Sequence, residues 1–197
     1  MTRFPALRTV AVAAALCFVT GSFGYLLGRG RPPSAESADV GFLHDMLRHH
    51  EQAIDLSAIE LANGEIADVQ SFARETLLFQ SYEIGLLDAQ LDEWGYEREE
   101  PPATAMGWMG HEVVPDAMPG LATDEQVQAF RDAEGRDADA RFLDLMQAHH
   151  RGGVEMAEAA VDLVRDDDLR ALARRIASAQ RSEIEELDAA RERASLP

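Results

Sequence analysis

The sequence predicts an all-α protein in which a duplicated αα-hairpin folds as a four-helix bundle behind an N-terminal apolar helix. The first observation is a motif, Phe-Leu-x-x-Met-x-x-His-His, that occupies residues 42–50 and recurs at residues 142–150. The second is that the same offset of 100 residues relates further identities downstream, such as Glu83 and Glu183. One offset kept across two helices and their turn indicates a duplicated hairpin, and two amphipathic hairpins bury their apolar faces best against each other.

Residues 1–28 are expected to form a signal anchor or a signal peptide. Arg3 and Arg8 precede an apolar run of 18 residues from Val10 to Leu27, which is near the lower limit for a membrane-spanning helix. No Ala-x-Ala pattern precedes the polar region, which favours the anchor, but both alternatives export the rest of the chain. Residues 29–38 are predicted to be a flexible linker.

The bundle is predicted over residues 39–195, as two repeats at 39–94 and 137–194. Apolar residues recur there mostly at three- and four-residue steps, and Asn63-Gly64 and Asp166-Asp167-Asp168 mark the two hairpin turns. The four long helices are expected at about residues 39–63, 66–94, 137–164 and 169–194.

The connection between the repeats, residues 95–136, is predicted to be mostly irregular. Its first part, residues 95–122, holds four of the 8 prolines and four of the 14 glycines. A short helix is expected to follow, with Thr123 as N-cap and Gln126 completing a capping box, and to stop near Gly135.

The charge of the chain excludes some classes of partner. The 18 basic residues are all Arg and stand against 36 acidic residues; four of the Arg precede the first acid, Glu36, so the remainder carries a formal charge of −22. Such a surface repels nucleic acid and anionic lipid and favours cations. The charge therefore argues against a nucleic-acid partner but does not identify a ligand, since an acidic face on a helical protein is usually only a solvated face. A metal ion is expected as partner from the motif residues alone, and membrane contact through the N-terminal segment only.

The thioether and imidazole side chains of the repeated motif are candidate metal ligands. The candidates are Met46, His49, His50, Met146, His149 and His150. The only cysteine, Cys17, lies in the N-terminal apolar run, so the bundle has no thiolate for a disulfide, a Cys-zinc site or thiol catalysis. Sulfur plus imidazole suits copper, with Met favouring Cu(I), although another transition metal stays open.

Hairpin geometry predicts which residues surround the motif. With the turn centred at residues 64–65, Met46 lies level with Glu83 and the histidines lie level with Gln80, so Met, His, Gln and Glu of both hairpins are expected in one layer. Glu83 and its counterpart Glu183 are then either direct ligands or acceptors for an imidazole N–H. Adjacent histidines project about 100° apart around a helix, so at most one of each pair should face the bundle axis.

The connection contains a second candidate site. Met106, Met109, His111 and Met118 lie close together in sequence, and such Met/His clusters suit copper capture, although a loop Met often packs on the core instead. Met109 and His111 are taken as the candidate ligands.

The duplicated Met-x-x-His-His, the following Gln-x-x-Glu-Ile and the Met-Gly-His between the halves resemble the domain of unknown function 305 family over about residues 39–190. The resemblance implies a ferritin-like four-helix bundle, export in bacteria, and copper binding or tolerance in some members. At matching motif positions it points to Met46, His49, His50, Met146, His149, His150 and His111.

We therefore expect an exported transition-metal protein, with copper as the favoured metal, that acts as a buffer or carrier and is not an enzyme. One alternative is a metal-free envelope interaction or scaffold protein, in which the Met side chains pack and the His side chains bond to Glu or Gln. The other is a ferritin-like di-metal oxidase, which would need a Glu-x-x-His motif that the long helices lack.

Overall fold

The computed structural model describes residues 31–196, which are helical apart from short turns and the long connection. Its α-helices are α1 (Ala38–Asn63), α2 (Ala67–Trp94), α3 (Asp124–Arg131), α4 (Arg136–Leu163) and α5 (Asp167–Ala194), and two short 3-10 helices lie at Gly107–Met109 and Pro115–Ala117. The predicted four-helix bundle is confirmed, and the part of the chain that the structure describes contains no β-strand. The expected N-terminal apolar helix lies outside the described residues. Among residues 31–196, no helix is long and apolar enough to span a membrane.

Local sequence signals determine where the helices begin. Ser37 accepts a hydrogen bond from the backbone N–H of Val40 at the start of α1. The capping box predicted at Thr123 and Gln126 is present at the start of α3, so each side chain bonds to the backbone N–H of the other residue. Gly95 ends α2 in the left-handed conformation, with φ of 79°, which a residue without a Cβ adopts at low cost.

The two hairpins, α1–α2 and α4–α5, are joined mainly through α1 and α4. The apolar core is divided into two clusters. Cluster I contains buried residues from positions 40–47, 84–91, 105–118, 156–164 and 169–177. Cluster II contains buried residues from positions 53–59, 69–73, 130–133, 138–146 and 187–190. The first half of α1 and the second half of α4 both contribute to cluster I, and the second half of α1 and the first half of α4 both contribute to cluster II. The helices α1 and α4 therefore run antiparallel.

Two matched aspartates lock each hairpin onto the turn of the other. Asp39 at the start of α1 accepts hydrogen bonds from the backbone N–H groups of residues 165–166, at 2.9 and 2.8 Å. Asp139 at the start of α4 accepts bonds from those of residues 65–66, at 3.3 and 3.1 Å. Both carboxylates are buried. Each satisfies N–H groups next to a helix start that would otherwise lack partners.

Candidate metal centre

Four histidines form a buried layer between the two apolar clusters. His49 and His50 lie near the midpoint of α1, and His149 and His150 near the midpoint of α4, and all four have no solvent-exposed surface. The rings of His49 and His149 stack across the α1–α4 interface, with centroids 3.8 Å apart and planes tilted by 36°. His50 and His150 instead turn towards the outer helix of their own hairpin. We call this set of four residues the histidine layer.

Each histidine of the layer has its Nε2 atom beside an oxygen. His49 Nε2–H donates to the carbonyl oxygen of Pro119 at 3.1 Å, and His149 Nε2–H donates to the carbonyl oxygen of His49 at 2.8 Å. A carbonyl oxygen can only accept, so both rings carry their proton on Nε2.

The outer pair of histidines meets carboxylates. His50 Nε2 lies 2.8 Å from Glu83 Oε2 on α2, and His150 Nε2 lies 2.8 Å from Glu183 Oε2 on α5. The same contact is therefore made in both hairpins. The Glu83 carboxylate holds the buried His50 ring by a hydrogen bond, whereas Glu183 lies at ion-pair distance from His150 without a hydrogen bond to it.

The Nδ1 atoms of all four histidines are buried, and none has a hydrogen-bond partner in the part of the chain that the structure describes. Burial, reinforced by the neighbouring imidazoles, lowers the pKa of His49 to about 3 and that of His149 well below its usual value. Both rings are therefore neutral at physiological pH, and each presents an unshared Nδ1 lone pair. A neutral imidazole whose other nitrogen is fixed by an oxygen is the form that ligates metals.

Two buried glutamines border the histidine layer. Gln80 and Gln180 are almost fully buried, and neither amide makes a hydrogen bond. A Cβ atom at Gly153, one turn after the histidines of α4, would lie 2.1 Å from Gln180 Oε1. The two amides and the histidine Nδ1 atoms therefore have hydrogen-bonding groups that no described residue satisfies. A bound ion or water molecule would satisfy such buried groups.

Residues 119–122 of the connection form a strap over this layer. Besides the bond from His49 to Pro119, Gln52 bonds to both backbone groups of Ala122, at 2.9 and 2.7 Å. Gly120 has φ of 79°, and Gly152 lies so near that a Cβ there would be 1.9 Å from the Pro119 carbonyl oxygen. These two glycines let the strap lie directly on α4 and separate the histidines from solvent.

The donors are close but do not form a finished site. Within residues 31–196, no three His, Cys, Asp or Glu side chains are placed so that they could hold a metal ion together. Use of the layer as a metal site therefore requires ring rotation or sulfur ligands in addition to imidazole.

The domain architecture is shared with known structures. A family model described as Domain of unknown function (DUF305) matches residues 39–191. This chain belongs to the DUF305 family. The crystal structure of a DUF305 protein from Streptomyces coelicolor is 32% identical, with a TM-score of 0.77, and the match covers 83% of this chain and 97% of that chain. A DUF305 fragment from Deinococcus radiodurans is 30% identical with a TM-score of 0.69, over 79% of this chain and 96% of that chain.

A third structure extends the fold comparison beyond close DUF305 relatives. CopM in its Cu(II)-bound form is 22% identical with a TM-score of 0.59, covering 78% of this chain and 94% of that chain. At this identity the likeness establishes the shared fold. A comparison with the curated proteins finds no match.

The expectation that the methionines of this DUF305 chain share one layer with the histidines is wrong. Met46 is buried in cluster I and Met146 in cluster II. The reason is that α1 and α4 are antiparallel, so the residue one turn before each His-His pair lies on opposite sides of the histidine layer. The two sulfur atoms flank the layer instead of lying within it.

The side chain of Glu83 reaches further along α1 than its backbone level indicates. Glu83 is predicted to lie level with Met46, but its carboxylate contacts His50, one turn later in α1. Side chains lean towards the N-terminus of their helix, so in an antiparallel hairpin the two side chains lean towards each other across about one turn. The same lean brings Glu183 to His150.

The candidate site in the connection separates into packing residues and an exposed histidine. Met106 and Met118 are buried in cluster I, and Met109 packs against it, whereas His111 is exposed. Asp45 holds this segment by accepting hydrogen bonds from Met106 N–H and from the indole N–H of Trp108, at 2.8 and 2.7 Å. Packing thus accounts for these methionines without a metal.

Some residues around the layer were not predicted. The Pro119 carbonyl comes from a loop whose path has no periodic signal. The close approach at Gly152-Gly153 has a readable signal, because two glycines inside a helical pattern mark a place where other groups come near. His44 is also buried, which lowers its pKa, but its counterpart is Asp144, so the duplication does not point to it.

Proposed function

We propose that this DUF305 protein is an exported transition-metal binding protein, with copper as the metal, and that it acts as a buffer or carrier and not as an enzyme. The observation that carries the proposal is the set of four buried imidazoles whose Nδ1 atoms have no hydrogen-bond partner within residues 31–196. Three of the four rings, those of His49, His50 and His149, are also held by an oxygen at Nε2. A metal would satisfy these nitrogens without the removal of a proton, because the two central rings are already neutral.

The chemistry of the surrounding side chains favours copper over zinc. The bundle offers imidazole nitrogen and, one turn away on either side, the thioethers of Met46 and Met146, but no thiolate. Thioether and imidazole select copper, and Met favours the Cu(I) state. Solved structures of CopM, which has the same fold, hold Cu(II), Cu(I) and silver, which supports soft-metal binding in this architecture.

The residues fall into two groups by role. His49 and His149 would ligate through Nδ1, with Met46 or Met146, one turn before each His-His pair, as the sulfur ligand. Glu83 and Glu183 would act as acceptors that hold the outer histidines, since both carboxylates already face an Nε2 atom. His111 and Met109 would at most supply a separate, exposed position in the connection.

Export rests on two observations. The Streptomyces coelicolor relative is described as a candidate secreted protein, and residues 1–28 of this chain carry the basic and apolar pattern of a signal anchor or signal peptide. Delivery to the outside of the cell membrane suits a metal buffer, and the formal charge of −18 would attract cations and repel nucleic acid.

The proposal is tested by copper titration of the full chain in detergent, with calorimetry and metal analysis as readouts. The His49→Ala/His149→Ala variant should bind Cu(I) at least about tenfold more weakly, a difference of about 1.4 kcal/mol. Met46→Leu/Met146→Leu keeps the core volume and should weaken Cu(I) more than Cu(II). The matched control, His111→Ala, alters an exposed histidine and should bind like the parent.

Three outcomes would contradict parts of the proposal. Unchanged affinity in the His49→Ala/His149→Ala variant, with its helical circular dichroism retained, would exclude the histidine layer. Loss of binding in His111→Ala would move the site to the connection. A full chain that binds no copper would leave the metal-free interaction or scaffold role.

A further inference from the structure

The outer face of α2 carries an exposed apolar patch. Leu78, Phe79 and Tyr82 are 63%, 61% and 65% exposed. They form one continuous surface, because their spacings of three and four residues place them on one helix face. Leu86 extends the patch by another turn and is half-buried. We call Leu78, Phe79, Tyr82 and Leu86 the α2 patch.

The equivalent face of α5 shows that the fold does not need this patch. Residues 178, 179, 182 and 186 of α5 are Ser, Ala, Ser and Glu, and all are exposed. The inward-facing positions nearby, by contrast, keep the same residue, as Gln80 and Gln180 do. The two hairpins therefore share their buried chemistry and differ on the outside, where only α2 is apolar.

Gly85 adds an opening to the same face. It is exposed in the middle of α2, and a Cβ placed there would meet nothing within 4 Å. A glycine in a helix interior costs about 1 kcal/mol relative to alanine, and its counterpart in α5 is Glu185. Within residues 31–196 no group lies close to this position, so a side chain of another molecule could approach the helix backbone there.

We propose that the α2 patch is the interface of a homodimer, in which α2 packs antiparallel against α2 of a second copy across a two-fold axis near Tyr82. In that register Phe79 of one copy lies level with Gly85 of the other, and Leu78 lies level with Leu86. On one side of the helix contact Phe79 then meets Leu86 of the other copy, and on the other side Leu78 meets the position at Gly85, which has no side chain. A two-fold interface must be self-complementary in this way.

The size of the patch fits this partner. Aromatic side chains bury about 150–250 Å² each, so three side chains at the exposures above present roughly 300–400 Å², which is the size at which an apolar patch is commonly functional. Two copies would remove roughly 700 Å² from water through these residues alone. Flanking residues of two 28-residue helices would bring the total towards the roughly 1,200–2,000 Å² of a stable interface.

The charge of the chain gives the dimer a characteristic salt dependence. Two copies each carry a formal charge of −18 and repel each other, so added salt should strengthen association by screening the repulsion. An interface made of ion pairs would weaken instead. The acidic charge repels a second copy and an anionic lipid surface alike, so the second copy is favoured as occupant by the self-complementary spacing of the patch and not by charge.

The first test is the mass of the full chain in detergent by sedimentation. The parent should reach the mass of a dimer with rising concentration, and more readily at higher salt. The Leu78→Ser/Phe79→Ala/Tyr82→Ser variant, which installs the residues of α5, should raise the dissociation constant at least about tenfold. That variant keeps the N-terminal apolar segment, so association through that segment would remain unchanged and would overturn the proposal. A parent that stays monomeric would also overturn it.

The second test is disulfide cross-linking in a Cys17→Ser background, in which the chain has no other thiol. A cysteine on the two-fold axis meets its own copy, so Tyr82→Cys should form a covalent dimer under mild oxidation. The matched control, Ser182→Cys, occupies the same exposed position on α5 and should not. Equal rates of cross-linking at the two positions would contradict the proposed interface even if the mass is that of a dimer.

Discussion

One buried acid should give this protein an unusual dependence of stability on pH. Glu60 in α1 has no exposed surface, and burial together with the neighbouring Asp139 carboxylate raises its pKa from 4.5 to about 9. The folded protein therefore binds this proton more tightly than the unfolded chain does. The stability that Glu60 contributes is complete below pH 4.5 and is lost as the pH rises towards 9. At about 1.36 kcal/mol per pH unit, the loss between pH 4.5 and 7 is about 3 kcal/mol.

Glu60→Gln isolates this effect, since the amide resembles the protonated acid but does not titrate. We expect the free energies of unfolding, measured by urea denaturation from pH 4.5 to 8, to be similar for parent and variant at the acid end. They should then separate, with the variant more stable by about 3 kcal/mol near pH 7. Glu75→Gln, at an exposed position of α2, is the control and should follow the parent. Parallel curves for parent and Glu60→Gln would refute the shift in pKa and its cause.

Two further substitutions test the packing around the bundle centre and its turns. Gly153→Ala places a Cβ 2.1 Å from Gln180 Oε1, so the amide must move, and we expect a loss of about 1–3 kcal/mol in urea denaturation; an unchanged stability would show that Gln180 is free to turn away. Asp39→Ala leaves two part-buried backbone N–H groups before α5 without their acceptor and should cost about 1–3 kcal/mol. Hydrogen exchange should quicken at the start of α5, and quicker exchange at the start of α2 instead would contradict the assignment.

The sequence was sufficient for the bundle because the information is local and repeated. Helix periodicity, the Asn63-Gly64 turn and the offset of 100 residues identify two hairpins, and the 100° between adjacent histidines already implies that the members of each pair point in different directions. Contacts within one hairpin could be predicted to within about one turn. Glu83 contacts His50, one turn after Met46, because side chains lean along the helix, so the end of a side chain lies about one turn from the level of its backbone.

The packing of one hairpin against the other could not be predicted from the sequence pattern. Nothing in the two repeats states whether α1 and α4 run parallel or antiparallel, and that choice decides whether Met46 and Met146 lie in one layer or on either side of it. The strap was equally hidden, because the bond from His49 to the Pro119 carbonyl depends on the path of a loop without periodic pattern. The buried acid Glu60 stands where the second repeat has Ala160, so the duplication gave no indication of it.

Nitrogen-15 NMR of the imidazoles tests most directly whether the Nδ1 atoms of the histidine layer bind the metal. The full chain has 6 histidines, so each ring nitrogen can be followed during titration with Cu(I) or Ag(I). The Nδ1 resonances of His49 and His149 should shift strongly, while their Nε2 atoms keep their protons and their bonds to carbonyl oxygens. Shifts confined to His111 or His44, or loss of the Nε2 protons of the layer, would contradict the account.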